Sequence, residues 1–385
     1  MKPENRAGKY KRNLSRELEY ESFIPNPLPP NPSLVYDDEL NSLLSQASRS
    51  LGMLEGVSSQ IPDIDLFMAM YVRKEALMSS QIEGTQATLE DVLNPDINEN
   101  VNSDVIDVVN YVRATEFAIN SLKSLPLCCR LMRKVHEVLL SGVRGEEKYP
   151  GEFRRSQNWI GAADSTLKTA KYVPPNPEDM LEAMSELEKY INLDDGTDDL
   201  IRIALIHYQF ETIHPFLDGN GRVGRLFITL YLMEKGILTV PALYISYFLK
   251  KNRIEYYDRM TEVRRTGNYE QWVKFFLNAL IESSSSAVDT IRKLSKLHDS
   301  NVKKLSADIH SLKDKILVIF RYIEENPILT INKAASDLGL SFNAVSSSVK
   351  RLCSDEILYL QDKKIMKSRI FYYKDYLEIL RNGTE

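Results

Sequence analysis

A stretch of twelve residues, 214–225, brings together side chains that could transfer a phosphate-containing group. It begins with His214, whose imidazole can be neutral near pH 7 and accept a proton from an attacking hydroxyl. Asp218 is a hard oxygen ligand that suits a Mg²⁺ ion shared with phosphate groups. Arg222 and Arg225 add planar cations that match phosphate oxygens. The segment therefore combines a base, a metal ligand and a cationic clamp, as phosphoryl or nucleotidyl transfer requires.

The same segment is rich in residues that let the backbone turn sharply. Gly219, Asn220, Gly221 and Gly224 tolerate positive φ angles, which point successive N–H groups inward. The apolar residues at 222–235 then predict a helix. A nest of N–H groups at the start of a helix binds phosphate. The alternative is a glycine-rich turn between two helices that holds a buried histidine.

The segment resembles the Fic family signature, H-P-F-x-D/E-G-N-G-R-x-x-R, at every fixed position. Over roughly residues 64–285, the resemblance implies a helical core with a mobile β-hairpin flap. It also implies transfer of AMP from ATP, with Mg²⁺, to a Ser, Thr or Tyr hydroxyl of a target protein. By this resemblance His214 is the general base and Asp218 holds the metal. The backbone of residues 219–222 would cradle the α- and β-phosphates, and Arg225 would meet the γ-phosphate.

A shorter motif upstream resembles the inhibitory sequence S/T-x-x-x-E-G/N of many Fic proteins. It consists of Ser79, Glu83 and Gly84. The resemblance places Glu83 against Arg225, which would then be unable to hold the γ-phosphate. The protein would thus restrain its own activity, including self-modification, and Glu83 could also orient a water that removes AMP. The alternative is that these residues only end a surface helix.

The segment between 151 and 175 has the alternating texture of a β-hairpin with a long tip. By position it corresponds to the flap, which would bind a target segment by strand addition. The predicted flap residues are Asn158, Trp159, Ile160 and Tyr172. Packing within the hairpin is an equally good explanation for Trp159 and Ile160.

Three residues after the active-site helix are candidates for an adenine pocket: Tyr256, Tyr257 and Arg264. Core packing of the tyrosines and solvation of the arginine are the alternative. His207 lies seven residues before His214. We expect it to be a hydrogen-bonded core histidine, because no third metal ligand accompanies the pair.

The fold class predicted for the chain is mainly α, with a helical Fic-type core, a β-hairpin flap and a C-terminal winged helix. We divide the chain into an N-terminal arm with inhibitory helices (1–105), a catalytic core (106–285), a helical connector (286–312) and a winged helix-turn-helix (313–385). Prolines between residues 25 and 32 predict that the arm is extended. The connector is amphipathic and could form a homodimer seam.

The last unit could bind either DNA or a protein. Its predicted recognition helix presents Asn343, Ser346, Ser347, Lys350 and Arg351. The predicted wing carries Lys363, Lys364, Lys367 and Arg369. However, residues 313–385 contain 12 Lys and Arg against 10 Asp and Glu, so charge does not decide between the two partners.

Composition narrows the class of protein further. The 385 residues carry a formal net charge of -5, which argues against a general polyanion binder. Three cysteines without metal spacing, and no long apolar run, favour a cytoplasmic protein that does not bind membranes. A self-inhibited protein adenylyltransferase is the leading hypothesis. A nucleotide-sensing transcription regulator is the alternative, and phosphate transfer, as in Doc-type relatives, is disfavoured by the intact Gly219-Asn220-Gly221.

Overall fold

The computed structural model describes residues 5–14, 19–59, 64–93, 103–142, 146–162, 164–306, 313–361 and 369–381. Within them the chain is mainly helical, with two small antiparallel sheets. None of these helices combines the length and apolar character that a membrane span needs. The helices of the N-terminal half are α1 (Asp38–Ser58), α2 (Ile64–Ile82), α3 (Leu89–Leu93), α4 (Ser103–Leu122), α5 (Cys129–Leu139) and α6 (Pro177–Ile191). Those that follow are α7 (Asp199–Ile213), α8 (Asn220–Glu234), α9 (Ile245–Lys251), α10 (Arg253–Thr266) and α11 (Tyr269–Ser306).

Helices α7 and α8 form the centre of the molecule. Every residue of α7 from Leu200 to Ile213 is buried, and so is nearly all of α8. A helix that is covered on every side belongs to a core, not to a surface. The catalytic candidate segment is the short connection between these two helices, so both of its ends are held rigidly.

The N-terminal arm contains an antiparallel hairpin that was not predicted, formed by β1 (Gly8–Leu14) and β2 (Glu19–Pro25) before the proline-rich stretch. The proline-rich residues 26–32 form neither helix nor strand. Phe23 is fully buried and its N–H donates to the Val173 carbonyl at 3.0 Å. The hairpin therefore packs directly beside the predicted flap.

The predicted connector continues one long helix. α11 has 38 residues and reaches from the core to the C-terminal unit. Val288, Ile291 and Leu294 are buried within the chain, so the apolar stripe of this segment is already covered. The homodimer stays a prediction.

The C-terminal unit comprises α12 (Lys313–Glu325), β3 (Ile328–Thr330), α13 (Ile331–Leu338), α14 (Phe342–Ser354), β4 (Tyr359–Leu360), β5 (Ile370–Tyr372) and α15 (Lys374–Arg381). Its strands pair antiparallel in the order β3-β5-β4. The three helices and the pair of β4 with β5 follow the element order expected of a winged helix-turn-helix, whereas β3 and α15 were not predicted. Lys363, Lys364 and Lys367 lie outside the described residues.

Candidate active site

His214 occupies the sharp turn at the end of α7. It adopts the left-handed conformation, with φ 52° and ψ 60°, which costs about 1–2 kcal/mol for a residue with a Cβ. Its N–H remains bonded to the Phe210 carbonyl at 2.9 Å. The imidazole at this turn is half-buried.

The imidazole of His214 is poised as a neutral base. Burial and the neighbouring Arg154 cation lower its pKa to about 4. Nδ1 lies 3.3 Å from the Glu211 carbonyl, which can only accept a hydrogen bond. The proton therefore belongs on Nδ1, and the Nε2 lone pair is left to accept one from a substrate.

The N-terminus of α8 presents main-chain N–H groups that could bind an anion. As in any helix, the first of these groups lack intrahelical partners. Gly219 precedes the helix at φ 74° and gives it no side-chain cap. Asn220 does not turn its amide into this site. Its Oδ1 and Nδ2 bond the Phe216 N–H and carbonyl, both at 2.8 Å, and close the loop.

Asp218 stands at the exposed edge of the loop. Its side chain is half exposed, and Oδ1 accepts from the Gly219 N–H at 2.6 Å. Arg222 lies 3.8 Å from this oxygen and 3.5 Å from Asp107. One accessible carboxylate beside an anion site suits Mg²⁺, which is commonly bound by one or two carboxylates together with substrate phosphates.

Arg225 is buried and fully engaged by the predicted inhibitory motif. Its Nε donates to the Ser79 hydroxyl and its Nη2 to the Ser79 carbonyl, both at 2.9 Å. Nη2 also lies 2.6 Å from Oε1 of Glu83. Burial lowers the pKa of Arg225, but the charge of Glu83 leads the opposing effects that raise it overall.

The Glu83 carboxylate also covers the anion site. A Cβ added to Gly221 would lie 2.2 Å from Glu83 Oε1 and 2.8 Å from Arg225 Nη1. Only a glycine in the first turn of α8 leaves room for the carboxylate there. Gly84 follows at φ 103° with open space around it, so this glycine is needed for the chain reversal that ends α2.

Gly224 marks a second close approach. A Cβ there would lie 2.4 Å from Oε1 of Glu211, whose buried Oε1 has no hydrogen-bond partner. Burial raises the pKa of Glu211 to about 7. This glycine therefore sets the spacing of α7 and α8 behind the loop.

The predicted flap is less regular than a hairpin. Ile160 and Tyr172 form a single antiparallel bridge, with N–H to carbonyl distances of 2.8 and 3.0 Å. Trp159 is 42% exposed, and its ring N–H donates to the Ser165 carbonyl. Tyr172 is buried, beneath the Arg264 guanidinium at 4.0 Å. Asn158 reaches back to the catalytic loop.

The three candidates for an adenine pocket differ in burial and in contacts. Tyr256 is buried and its hydroxyl lies 2.8 Å from Nε2 of His207. The other ring nitrogen of His207 lies 3.2 Å from the Gly224 carbonyl, so this histidine is a satisfied core residue. Tyr257 is half-buried beside it, and Arg264 covers Tyr172 instead of pointing to solvent.

Sequence reasoning missed two residues that hold the loop in place. Arg154 donates from Nε to the His214 carbonyl at 3.0 Å. His136 accepts from the Gly151 N–H at Nδ1, so its Nε2 carries the proton and meets the Asp218 carbonyl at 3.1 Å. Both residues lie outside the motif and hydrogen-bond to main-chain atoms, and the His136 ring also stacks on the Phe216 ring at 3.8 Å. Residue spacing gave no signal for either of them.

Comparison with known proteins agrees with this geometry. Residues 41–120 match the Fic/DOC family N-terminal region and residues 126–232 match the Fic/DOC family. The chain therefore contains a Fic/DOC family N-terminal region followed by a Fic/DOC family core.

Similar proteins include two insect enzymes, each named protein adenylyltransferase Fic. The chain is 31% identical to that of Culex quinquefasciatus over 169 residues, which are 43% of this chain and 29% of the relative. It is 35% identical to that of Aedes aegypti over 127 residues, 32% of this chain and 22% of the relative. The match thus spans less than a third of each relative's length.

Solved structures confirm the fold. A Fic family protein from Desulfovibrio desulfuricans superimposes with a TM-score of 0.57 at 20% identity, over 88% of this chain and 97% of that one. A Fic domain containing signaling protein from Bacteroides thetaiotaomicron gives 0.50 at 20% identity, over 66% and 97%.

Proposed function

We propose that this protein is a self-inhibited protein adenylyltransferase that moves AMP from ATP to a target hydroxyl. The observation that carries the proposal is the pairing of a neutral base, His214, with an anion site at the start of α8. Both lie on one rigid loop. The names of the insect relatives supply the reaction class.

The reaction follows from the placement of these groups. Nε2 of His214 accepts the proton of the target hydroxyl while its oxygen attacks the α-phosphorus of ATP. The bond from that phosphorus to the β-phosphate oxygen breaks, and pyrophosphate leaves. N–H groups of α8 and the Arg222 guanidinium stabilise the charge on the phosphate oxygens. A magnesium ion bound at Asp218 would neutralise charge on the phosphates.

The inhibition we propose is a competition between two anions. The Glu83 carboxylate holds Arg225 and occupies the space above Gly221. A γ-phosphate would need that arginine and part of that space. Without Glu83 the buried guanidinium would keep only Ser79, so it would be free to bind a phosphate instead.

Labelled ATP tests both the chemistry and the inhibition. The protein and its Glu83→Gly variant are incubated with a lysate and ATP labelled at the α- or the γ-phosphate. We expect α-label on protein, raised about tenfold or more by Glu83→Gly, because losing about 1.4 kcal/mol of inhibition shifts an equilibrium tenfold. His214→Ala in the same background should abolish it.

Three outcomes would contradict the proposal. Transfer of γ-label would indicate phosphate transfer. Equal activity of wild type and Glu83→Gly would rule out the proposed inhibition. No label at all would favour the transcription regulator. Incubating modified target with wild-type protein then tests removal of AMP. Retention of that AMP would exclude the second activity.

A second candidate function is transcription regulation through the C-terminal unit, which we propose to be a winged helix. The supporting observation is the exposed polar face of α14, which includes Asn343, Ser347 and Lys350. Duplex DNA binding that weakens with salt and with Lys350→Glu would support it. Capture of a protein with unchanged DNA mobility would favour protein docking.

A further inference from the structure

The end of α7 and the start of the catalytic loop present five consecutive main-chain carbonyls, residues 212–216, to the flap. Arg154 binds three of them. Its main-chain N–H donates to Pro215 at 2.9 Å and its Nε to His214 at 3.0 Å. Its Nη2 lies 3.5 Å from the carbonyl of Ile213. One residue thus caps the helix end and fixes the turn.

Two other flap residues complete the set. The Tyr172 hydroxyl donates to the Thr212 carbonyl at 2.6 Å. Asn158 Nδ2 donates to Phe216 at 2.9 Å and lies 3.3 Å from the carbonyl of His214. The base of the flap and the backbone of the catalytic histidine are therefore one hydrogen-bonded unit.

Arg154 also links the two sides of the flap. Its remaining donors bond the Ser156 carbonyl at 3.2 Å and the Pro175 carbonyl at 2.5 Å, while the residue is only 3% exposed. Within the described residues, the hydrogen bonds of this side chain all end on carbonyls. Carbonyl dipoles at a helix C-terminus stabilise a cation, and satisfied donors reduce the cost of burying it.

We propose that Arg154 is a positioning residue that locks His214 in its left-handed turn and holds it at a constant distance from the flap. Resting on the proposed function, this inference assigns Arg154 to the alignment of base and target hydroxyl. In the proposed function ATP would bind at the start of α8, which the side-chain hydrogen bonds of Arg154 within the described residues do not reach. Loss of Arg154 should therefore reduce turnover and leave nucleotide affinity intact.

The test compares two buried arginines, Arg154, which bonds carbonyls at the C-terminal end of α7, and Arg202, which lies in its first turn. Arg154→Gln and Arg154→Lys are made in the Glu83→Gly background. The matched control is Arg202→Gln, because Arg202 is also 3% exposed and donates to the Tyr190 carbonyl at 3.1 Å. All variants are assayed well below their unfolding temperatures, with kcat, KM and the Kd for ATP measured separately.

We expect Arg154→Gln to lower kcat about a hundredfold, since a displacement of about 1 Å can have that effect. The Kd for ATP should change less than about threefold, on the scale of RT. Arg154→Lys should recover part of kcat, and Arg202→Gln should keep it. Equal loss of kcat in the Arg202 control, or a parallel loss of ATP affinity in Arg154→Gln, would overturn the positioning role. Arg154 would then only cap the helix.

Hydrogen exchange separates this inference from the proposed function. If the Glu83→Gly parent transfers no AMP, the function fails, but the amides of residues 214–220 still report on the loop. Faster exchange there in Arg154→Gln than in Arg202→Gln would support the positioning role. Equal exchange in the two variants would overturn it.

Discussion

At the scale of single residues, the site depends on two glycines whose lack of a side chain leaves room for carboxylates. Gly221 makes room for the Glu83 carboxylate in the first turn of α8, and Gly224 makes room for that of Glu211 behind it. In the proposed competition, the first space would receive a phosphate when Glu83 leaves. The second is closed, and its buried carboxyl has a raised pKa.

Gly221→Ala should abolish the increase in AMP transfer that removal of Glu83 is expected to produce. The added Cβ would occupy the place of the carboxylate, so it would also obstruct a phosphate on the α8 N–H groups. In the Glu83→Gly background we expect the Kd for ATP to rise about tenfold, equivalent to about 1.4 kcal/mol. Calorimetric titration with ATP measures this. Gly52→Ala in α1, where nothing lies within 4 Å, is the control, and ATP binding unaffected by Gly221→Ala would contradict the model of competing anions.

Glu211 should make the stability of the protein depend on pH. Its pKa is about 7 in the folded state against 4.5 ordinarily, so the native state binds more protons between these values. Below pH 4.5 the buried Glu211 carboxyl makes its full contribution to the free energy of unfolding. That free energy falls by about 3 kcal/mol as the pH rises through 7. Glu211→Gln should remove this loss in urea titrations at pH 5.5 and 8. Glu75, whose pKa is also raised to about 7, stays in both proteins, and identical pH dependence in the two would exclude Glu211 as the source.

At the scale of elements, the sequence predicted what is local. The helical period and the glycine-rich turn predicted α8 and the catalytic loop, and the short motif predicted the contact of Glu83 with Arg225. The N-terminal hairpin was missed although its two strands pair locally with each other, and one bond, from Phe23 to the Val173 carbonyl, ties it to a distant part of the chain. Arg154 was missed because its hydrogen-bond partners are main-chain carbonyls that only folding brings together.

Among the residues that the structure describes, β2 bonds one edge of the predicted flap and no strand pairs with the other. β2 already bonds the flap at Val173, just after the bridge of Ile160 with Tyr172. A target strand would therefore have to add on the side of residues 159–161. The free face of this strand carries the exposed Trp159.

Two substitutions of Trp159 should separate main-chain from side-chain recognition. Trp159→Pro removes an N–H that an added strand could use, whereas Trp159→Ala keeps it. We expect Trp159→Pro to lower target modification about fivefold or more, in line with about 1 kcal/mol for one hydrogen bond. ATP binding, measured by calorimetry, should be equal in the two variants. If Trp159→Ala were the more damaging change, the indole would be the recognition element instead.

At the scale of the whole molecule, the helix that carries Ser79, α2, contacts both the helical core and the C-terminal unit. α2 packs on α8 and α9 in the core and on α12 in the C-terminal unit. Arg73 of α2 donates to the Glu325 carbonyl at 3.4 Å, and Arg381 of α15 donates to Glu90 just after the inhibitory turn at 2.6 Å. A ligand that shifts the C-terminal unit would therefore pull on the helix that carries Glu83.

Weakening these contacts with the C-terminal unit should reduce the inhibition and have no other effect on activity. Arg73→Ala combined with Arg381→Ala should raise basal AMP transfer severalfold, because about 1 kcal/mol lost from α2 shifts its equilibrium about fivefold. The same pair of changes should have no effect in the Glu83→Gly background, where α2 no longer competes for Arg225. Arg265→Ala, which breaks only an exposed pair within α10, is the control. Equal stimulation in both backgrounds would mean that the C-terminal unit acts on the catalytic loop by another route, since only an effect through Glu83 disappears when Glu83 is absent.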